Sequence, residues 1–170
     1  VGIAINVSPT QLKDPWFSHT VLAVLTGERF PAARLTIEIT ENALILDAES
    51  VQNTIASLKN QGIQLALDDF GTGYSSLQHL QMLPFDKIKI DRSFVKAMES
   101  DPKALRLIHA IVALAATLDL PVVAEGIETR ETAAMLTRFG CEMGQGYYYG
   151  MPMACEDVEA ERRLDLARPA

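Results

Sequence analysis

Residues 63–76, IQLALDDFGTGYSS, read as a β-strand that runs directly into a polar exit loop. Ile63, Leu65 and Leu67 alternate with Gln64 and Ala66 before the chain reaches Asp68 and Asp69, and period-two alternation bounded by glycine marks a strand and its turn. Upstream, Val51, Ile55 and Leu58 recur at helical spacing from Asp47 onward, and Gly62 stands where that helix would stop. The unit is a helix, a glycine, a strand and an acidic exit.

The same unit recurs on both sides. Asp101-Pro102 supplies a cap and an N1 proline for an apolar segment through Leu118, and the β-branched run Val122-Val123 then ends in Glu125. A further copy runs from Thr129 through Phe139-Gly140 into Cys141 to Tyr149, which carries Gln145. Nearer the start, Ile3 to Ile5 lead to Asn6, and Leu35 to Ile39 contain Glu38 and lead to Glu41. Phe85 to Ile90 carry Lys89 and lead to Asp91. Six candidate strands alternating with helices predict a parallel α/β fold. Because polar residues gather at the C-terminal ends of several strands, a TIM-like (β/α)8 barrel is favoured over a doubly wound sheet. Six strands do not close an eight-stranded barrel, and Val1 begins almost inside a strand. The expectation is one domain over residues 1–170, incomplete at its N-terminus, with open strand edges prone to pair with a second copy of the chain.

Composition narrows the function. A chain of 170 residues with 48% hydrophobic and 22% charged residues is ordinary globular material. It has no apolar run near the ~20 residues of a membrane span and no basic leader, so the chain as given reads as cytoplasmic, with membrane tethering of a longer protein left open. A formal net charge of −7 argues against a DNA or RNA polymer as partner. Cys141 and Cys155 lack metal-ligand spacing and are expected as free thiols.

The strand-end set is Asn6, Glu38, Asp68, Asp69, Lys89, Glu125 and Gln145. Carboxylates with amide oxygen and no histidine suit Mg²⁺, Mn²⁺ or Ca²⁺ rather than zinc. So many carboxylates at one rim need cations to neutralise them, and a two-metal site would do so while activating water at a phosphodiester. Taken singly the residues say little: an Asp pair before Gly-x-Gly is more often a turn and helix cap, Glu38 and Lys89 could be ion-pair partners, and Gln145 could satisfy loop backbone. Their distribution over several strands is what points to a site. The stretch from Asp69 to Ser76 lacks the Walker and Rossmann signatures and fits a strand-to-helix loop able to close over a substrate. His19, His79 and His109 stand apart from the set, and no Ser-His-Asp or Cys-His arrangement is present.

The segments INVSP, LTIEITE, DDFGTGYSSL, DKIKIDRSFV, VVAEGIET and GQGYYYGMP occur in this order, and from Val1 to about Met153 the chain closely resembles the EAL-family cyclic di-GMP phosphodiesterases. The resemblance implies a modified TIM barrel with one antiparallel strand and two Mg²⁺ or Mn²⁺ ions. It implies that Asn6, Glu38 and Asp68 hold one ion, that Asp68, Asp69 and Glu125 serve the other, and that Asp68 bridges them. Lys89, with Asp91 beside it on the strand, matches the lysine that positions and polarises the attacking water, so that catalysis would fall to Lys89, Glu125 and Asp69. Glu128 and Gln145 match residues that complete the site, and Glu41 matches the glutamate anchoring the loop from Phe70 to Ser76.

One departure stands out. The Glu-Ala-Leu segment that names the family lies upstream of Asn6 in its members, carries a metal-binding glutamate and a nearby phosphate-contacting arginine, and does not occur in this chain. The implied activity is hydrolysis of cyclic di-GMP to linear pGpG by the intact domain, with these 170 residues alone expected to be inactive or nearly so. The alternative is a catalytically silent EAL-like domain that binds the dinucleotide or a protein partner. Flanking sensory or cyclase domains are expected in the full protein.

Overall fold

The segments with apolar residues at alternate positions do form strands, and all of them join one sheet. The computed structural model describes residues 2–44, 48–71, 80 and 82–158. The predicted helix start at Asp47, the loop residues from Thr72 to Ser76 and His79 lie outside these. Among the described residues the strands are β1 (Ile3–Val7), β2 (Leu35–Thr40), β3 (Gln64–Phe70), β4 (Lys87–Ile90), β5 (Val122–Ala124) and β6 (Met143–Gly144). They pair in sequence order, β1-β2-β3-β4-β5-β6, and every pairing is parallel. The architecture is an incomplete TIM-like barrel, and the antiparallel strand implied by the family resemblance is not among these six.

Parallel connections require crossovers, which the helices supply. Those whose ends lie among the described residues are α1 (Pro9–Lys13), α2 (Phe17–Gly27), α3 (Ala48–Asn60), α4 (Arg92–Ala97), α5 (Pro102–Thr117) and α6 (Arg130–Arg138). Their starts follow local chemistry. Ser8 and Gln11 form a reciprocal capping box ahead of α1, Asp91 caps α4, Asp101 caps α5 with Pro102 in the first turn, and Thr129 caps α6. Val51, Ile55 and Leu58 of α3 are buried, as their spacing predicts.

The register gives the sheet two different faces, because residues paired in a parallel ladder point the same way and alternate along each strand. Ile37 pairs with Leu65 and Leu67 with Ile88. With Ile39 and Ile90 they form an apolar face that is 0% exposed and joins the α3 and α5 side chains in one cluster. Opposite it lie Thr36, Glu38, Ala66, Lys87 and Lys89. At the entry end of that polar face, the Lys87 ammonium donates to Thr36 Oγ1 and Gln64 Oε1. The adjoining Asp86 carboxylate takes the Lys59 ammonium at 2.7 Å and the Leu65 N–H at 2.8 Å, fixing the start of β3 against α3.

Two strands are shorter than the sequence suggested. The predicted strand from Phe85 begins only at Lys87: the Phe85 N–H turns back to Leu83 O, and the Asp86 N–H then reaches Leu65 O on the neighbouring strand. In the segment from Cys141 to Tyr149 only Met143 and Gly144 are strand, since Gly146 starts a turn closed by the Tyr149 N–H. The Gln145 N–H still donates to Ala124 O at 2.8 Å, so the ladder extends one residue past β6. The outer strand β1 is exposed along most of its length. No helix of the described residues is long and apolar enough to cross a membrane. Cys141 is buried and Cys155 exposed, both as free thiols.

Candidate active site

The polar face of the sheet brings distant parts of the chain together. Glu38 on β2, Asp68 on β3, Lys89 on β4 and Glu125 just past β5 converge around one ammonium group. Lys89 Nζ lies 2.6 Å from Glu38 Oε2, 3.2 Å from Asp68 Oδ1 and 2.5 Å from Glu125 Oε1. At 3% exposure, such a cation persists only if it is paired. Burial disfavours its charge, but the hydrogen bonds to Glu125 and Glu38 and the Asp68 charge outweigh burial and hold the ammonium above the usual lysine range. Burial pushes the Glu125 carboxyl up, an effect that Lys89 offsets only in part.

Asp69 follows Asp68 directly, and in a regular strand it would point to the opposite face. Two features prevent this. The β3–β4 register slips between Leu67 and Phe70, and Asp69 takes a left-handed conformation with φ 56°. A bulge of this kind re-aims a side chain, and aspartate tolerates the left-handed region better than most residues. Carboxylate oxygens of Asp68, Asp69 and Glu125 consequently lie within 4.8 Å of one another. Burial and the neighbouring Asp68 and Asp91 charges push the Asp69 carboxyl up, against the pull of Lys89. Three oxygen donors this close, with no histidine or cysteine among them, fit a hard divalent cation. Of the other proposed ligand set, Asn6 pairs in register with Glu38 and shares its face on exposed β1, while Glu38 is engaged by Lys89.

The remaining expected residues surround this centre. Glu41, 2% exposed, accepts a hydrogen bond from the Gly71 N–H at 3.3 Å and so grips the beginning of the loop after the Asp pair. Asp91 accepts from the Ser93 N–H and hydroxyl at the start of α4. Burial opposes its ionisation, but these bonds outweigh burial and hold its carboxyl below the ordinary aspartate range. Glu128 and Gln145 line a cavity of about 220 Å³ with Glu125 and Tyr147. Arg92 and Gly126 also line it, and motif reading assigned neither a role. The available signal was their place inside the segments DKIKIDRSFV and VVAEGIET. A Cβ on Gly146 would stand 2.2 Å from Ile127 O, so only glycine lets the two backbones meet beside this cavity.

A larger groove of about 440 Å³ between α2 and α3 is lined by Ser18, His19, Asn53 and Ser57 and holds none of the strand-end carboxylates. His109 stacks on Phe139 with ring centroids 5.3 Å apart. Neither histidine belongs to the centre.

The EAL domain family model matches residues 1–152. The cyclic di-GMP phosphodiesterase RocR of Pseudomonas aeruginosa is 39% identical over 153 residues, which are 90% of this chain and 39% of the relative. The chain spans between 18% and 39% of the length of the curated relatives it matches. Among solved structures, the Pseudomonas aeruginosa MucR phosphodiesterase in its c-di-GMP complex superposes with a TM-score of 0.88 at 38% identity, covering 92% of this chain and 64% of that one. Klebsiella pneumoniae BlrP1, in a complex with manganese and c-di-GMP, gives a TM-score of 0.80 at 31% identity, covering 86% of this chain and 38% of that one.

Proposed function

The chain belongs to the EAL domain family, and from that membership we propose that it is the catalytic part of a cyclic di-GMP phosphodiesterase, releasing linear pGpG. The observation that carries the reading is the single lysine held between carboxylates of three strands, beside the close Asp68, Asp69 and Glu125 oxygens. RocR and other relatives at similar identity are named for this activity.

Asp68, Asp69 and Glu125 would hold one Mg²⁺ or Mn²⁺ ion, and Asn6, Glu38 and Asp68 a second. When bound, such ions supply a hydroxide-like nucleophile at neutral pH and a counter-charge for the leaving oxygen. The side chains of this protein do the remaining work. Lys89 keeps its proton, and because Glu125 and Glu38 take two of its N–H groups and fix the ammonium in place, the third, beside Asp68, is the donor that orients the attacking water. Water gives up one proton as its oxygen adds to one phosphorus, the P–O3′ bond breaks, and the departing oxygen takes up a proton in turn. Glu41 holds the loop leaving β3, while Asp91, Glu128 and Gln145 support the site from its rim. Residues 1–170 belong to a single EAL domain and supply part of its catalytic unit, a second copy of the chain is a candidate partner, and sensory or cyclase domains are candidate neighbours.

The test is chromatography of the products formed from cyclic di-GMP by the full-length protein with Mg²⁺, with Mn²⁺ and after chelation. The reading expects pGpG only with metal present. Unimpaired turnover after exhaustive chelation would overturn it.

A further inference from the structure

We propose that Arg92 holds the second phosphodiester of cyclic di-GMP, the one not being hydrolysed, and so positions the ring for attack at the first. This rests on the phosphodiesterase reading. The substrate is a dianion, whereas Glu38, Asp68, Asp69, Asp91, Glu125 and Glu128 crowd the site with negative charge. Lys89 is committed to three of these carboxylates. Ions gathered at the scissile phosphate leave the second phosphate facing an acidic rim, where an anion needs a cation of its own.

Among the described residues, Arg92 is the one lysine or arginine lining the 220 Å³ cavity that opens from Glu125 past Glu128 and Gln145. Its side chain is exposed, and no carboxylate lies within 4.0 Å of its guanidinium among the described residues. It occupies the first helical position after Asp91, so the strand that presents Lys89 also presents Arg92, three residues on. The cavity wall is shaped around it. Gly126 has φ 68°, and a Cβ there would stand 2.5 Å from the Arg92 Cβ, so a side chain at 126 would push the arginine out of place. A guanidinium is a planar fork that matches two phosphate oxygens, which a lysine ammonium does not reproduce.

The experiment compares wild type with Arg92→Ala, Arg92→Gln and Arg92→Lys in the full-length protein, on cyclic di-GMP and on bis(p-nitrophenyl) phosphate, which has one phosphodiester and no second anion. For cyclic di-GMP, Arg92→Ala and Arg92→Gln raise KM roughly 10- to 100-fold, the value of a charge-assisted bond, with a smaller fall in kcat. Arg92→Lys recovers part of the loss. The dissociation constant of cyclic di-GMP with Ca²⁺ in place of Mn²⁺ rises by the same factor as KM. For bis(p-nitrophenyl) phosphate, the loss in kcat/KM is at least tenfold smaller than for the dinucleotide. Equal losses on both substrates would overturn the proposal by assigning Arg92 to the chemistry or to the fold, and no loss on either would overturn it outright. If wild type hydrolyses the simple diester but neither binds nor cleaves cyclic di-GMP, the phosphodiesterase reading itself fails.

Discussion

Replacing Lys89 with methionine removes the one cation that the described residues place within a buried group of acids, while keeping most of the side-chain volume. At an effective dielectric of about 20, each contact near 3 Å is of the order of 5 kcal/mol before desolvation. Burying the ammonium offsets much of that sum, and without it the carboxylates relax towards solvent or take up protons. Breaking a buried pair from one side costs about 3–5 kcal/mol, and the partial exposure of Glu125 favours the lower end. For a domain of this size, about 3 kcal/mol lowers the melting temperature by roughly 6–12 °C. The sign with pH follows from the raised lysine: its contribution is fully present below its unfolded value of about 10.4 and is lost as pH rises through the higher folded value. At pH 7.5 the whole contribution is therefore available to be lost. The difference between variant and wild type narrows towards pH 4, because burial raises the Glu125 carboxyl and its protonation removes one of the charges that Lys89 pairs. Thermal melts in chelator at both pH values measure this, and added Mn²⁺ raises the variant's midpoint more than the wild type's. A variant melting within 2 °C of wild type in chelator at pH 7.5 would refute the electrostatic account of the centre.

Asp68→Ala and Asp69→Ala in the full-length protein each lower turnover of cyclic di-GMP by at least ~100-fold and weaken Mn²⁺ binding seen by calorimetry, while the melting temperature stays within a few degrees of wild type. Normal metal titration with either variant would remove that residue from the ligand set. Burial pushes the Cys141 thiol up to about 11, so a thiol reagent at pH 8 modifies Cys155 in the native protein and reaches Cys141 only on unfolding. Because the folded fold prefers protonated Cys141, its contribution to stability is intact below about pH 8.5 and declines as pH rises towards 11. Denaturant midpoints that do not change over that interval would contradict this.

The sequence by itself determined the alternation of elements, because helical and strand periodicity are local properties. Val51, Ile55 and Leu58 define one face of α3 wherever the helix docks, and Ser8, Asp101 and Thr129 mark helix starts by hydrogen bonds spanning two or three residues. The identity of the site residues was legible as well, since Glu38, Asp68, Lys89 and Glu125 each interrupt or end an apolar strand. The tertiary structure alone decided how those residues meet. Ladder register, a relation between segments far apart in the chain, put Glu38 and Lys89 on the same polar face. The bulge and left-handed turn at Asp69 brought two consecutive carboxylates to one centre, against the alternation that a strand imposes. Arg92 lay in plain view in the sequence, but its place on the cavity wall depends on close approach to Gly126, 34 residues away in the chain. No local pattern encodes that distance, because it is set by the packing of α4 against the exit of β5.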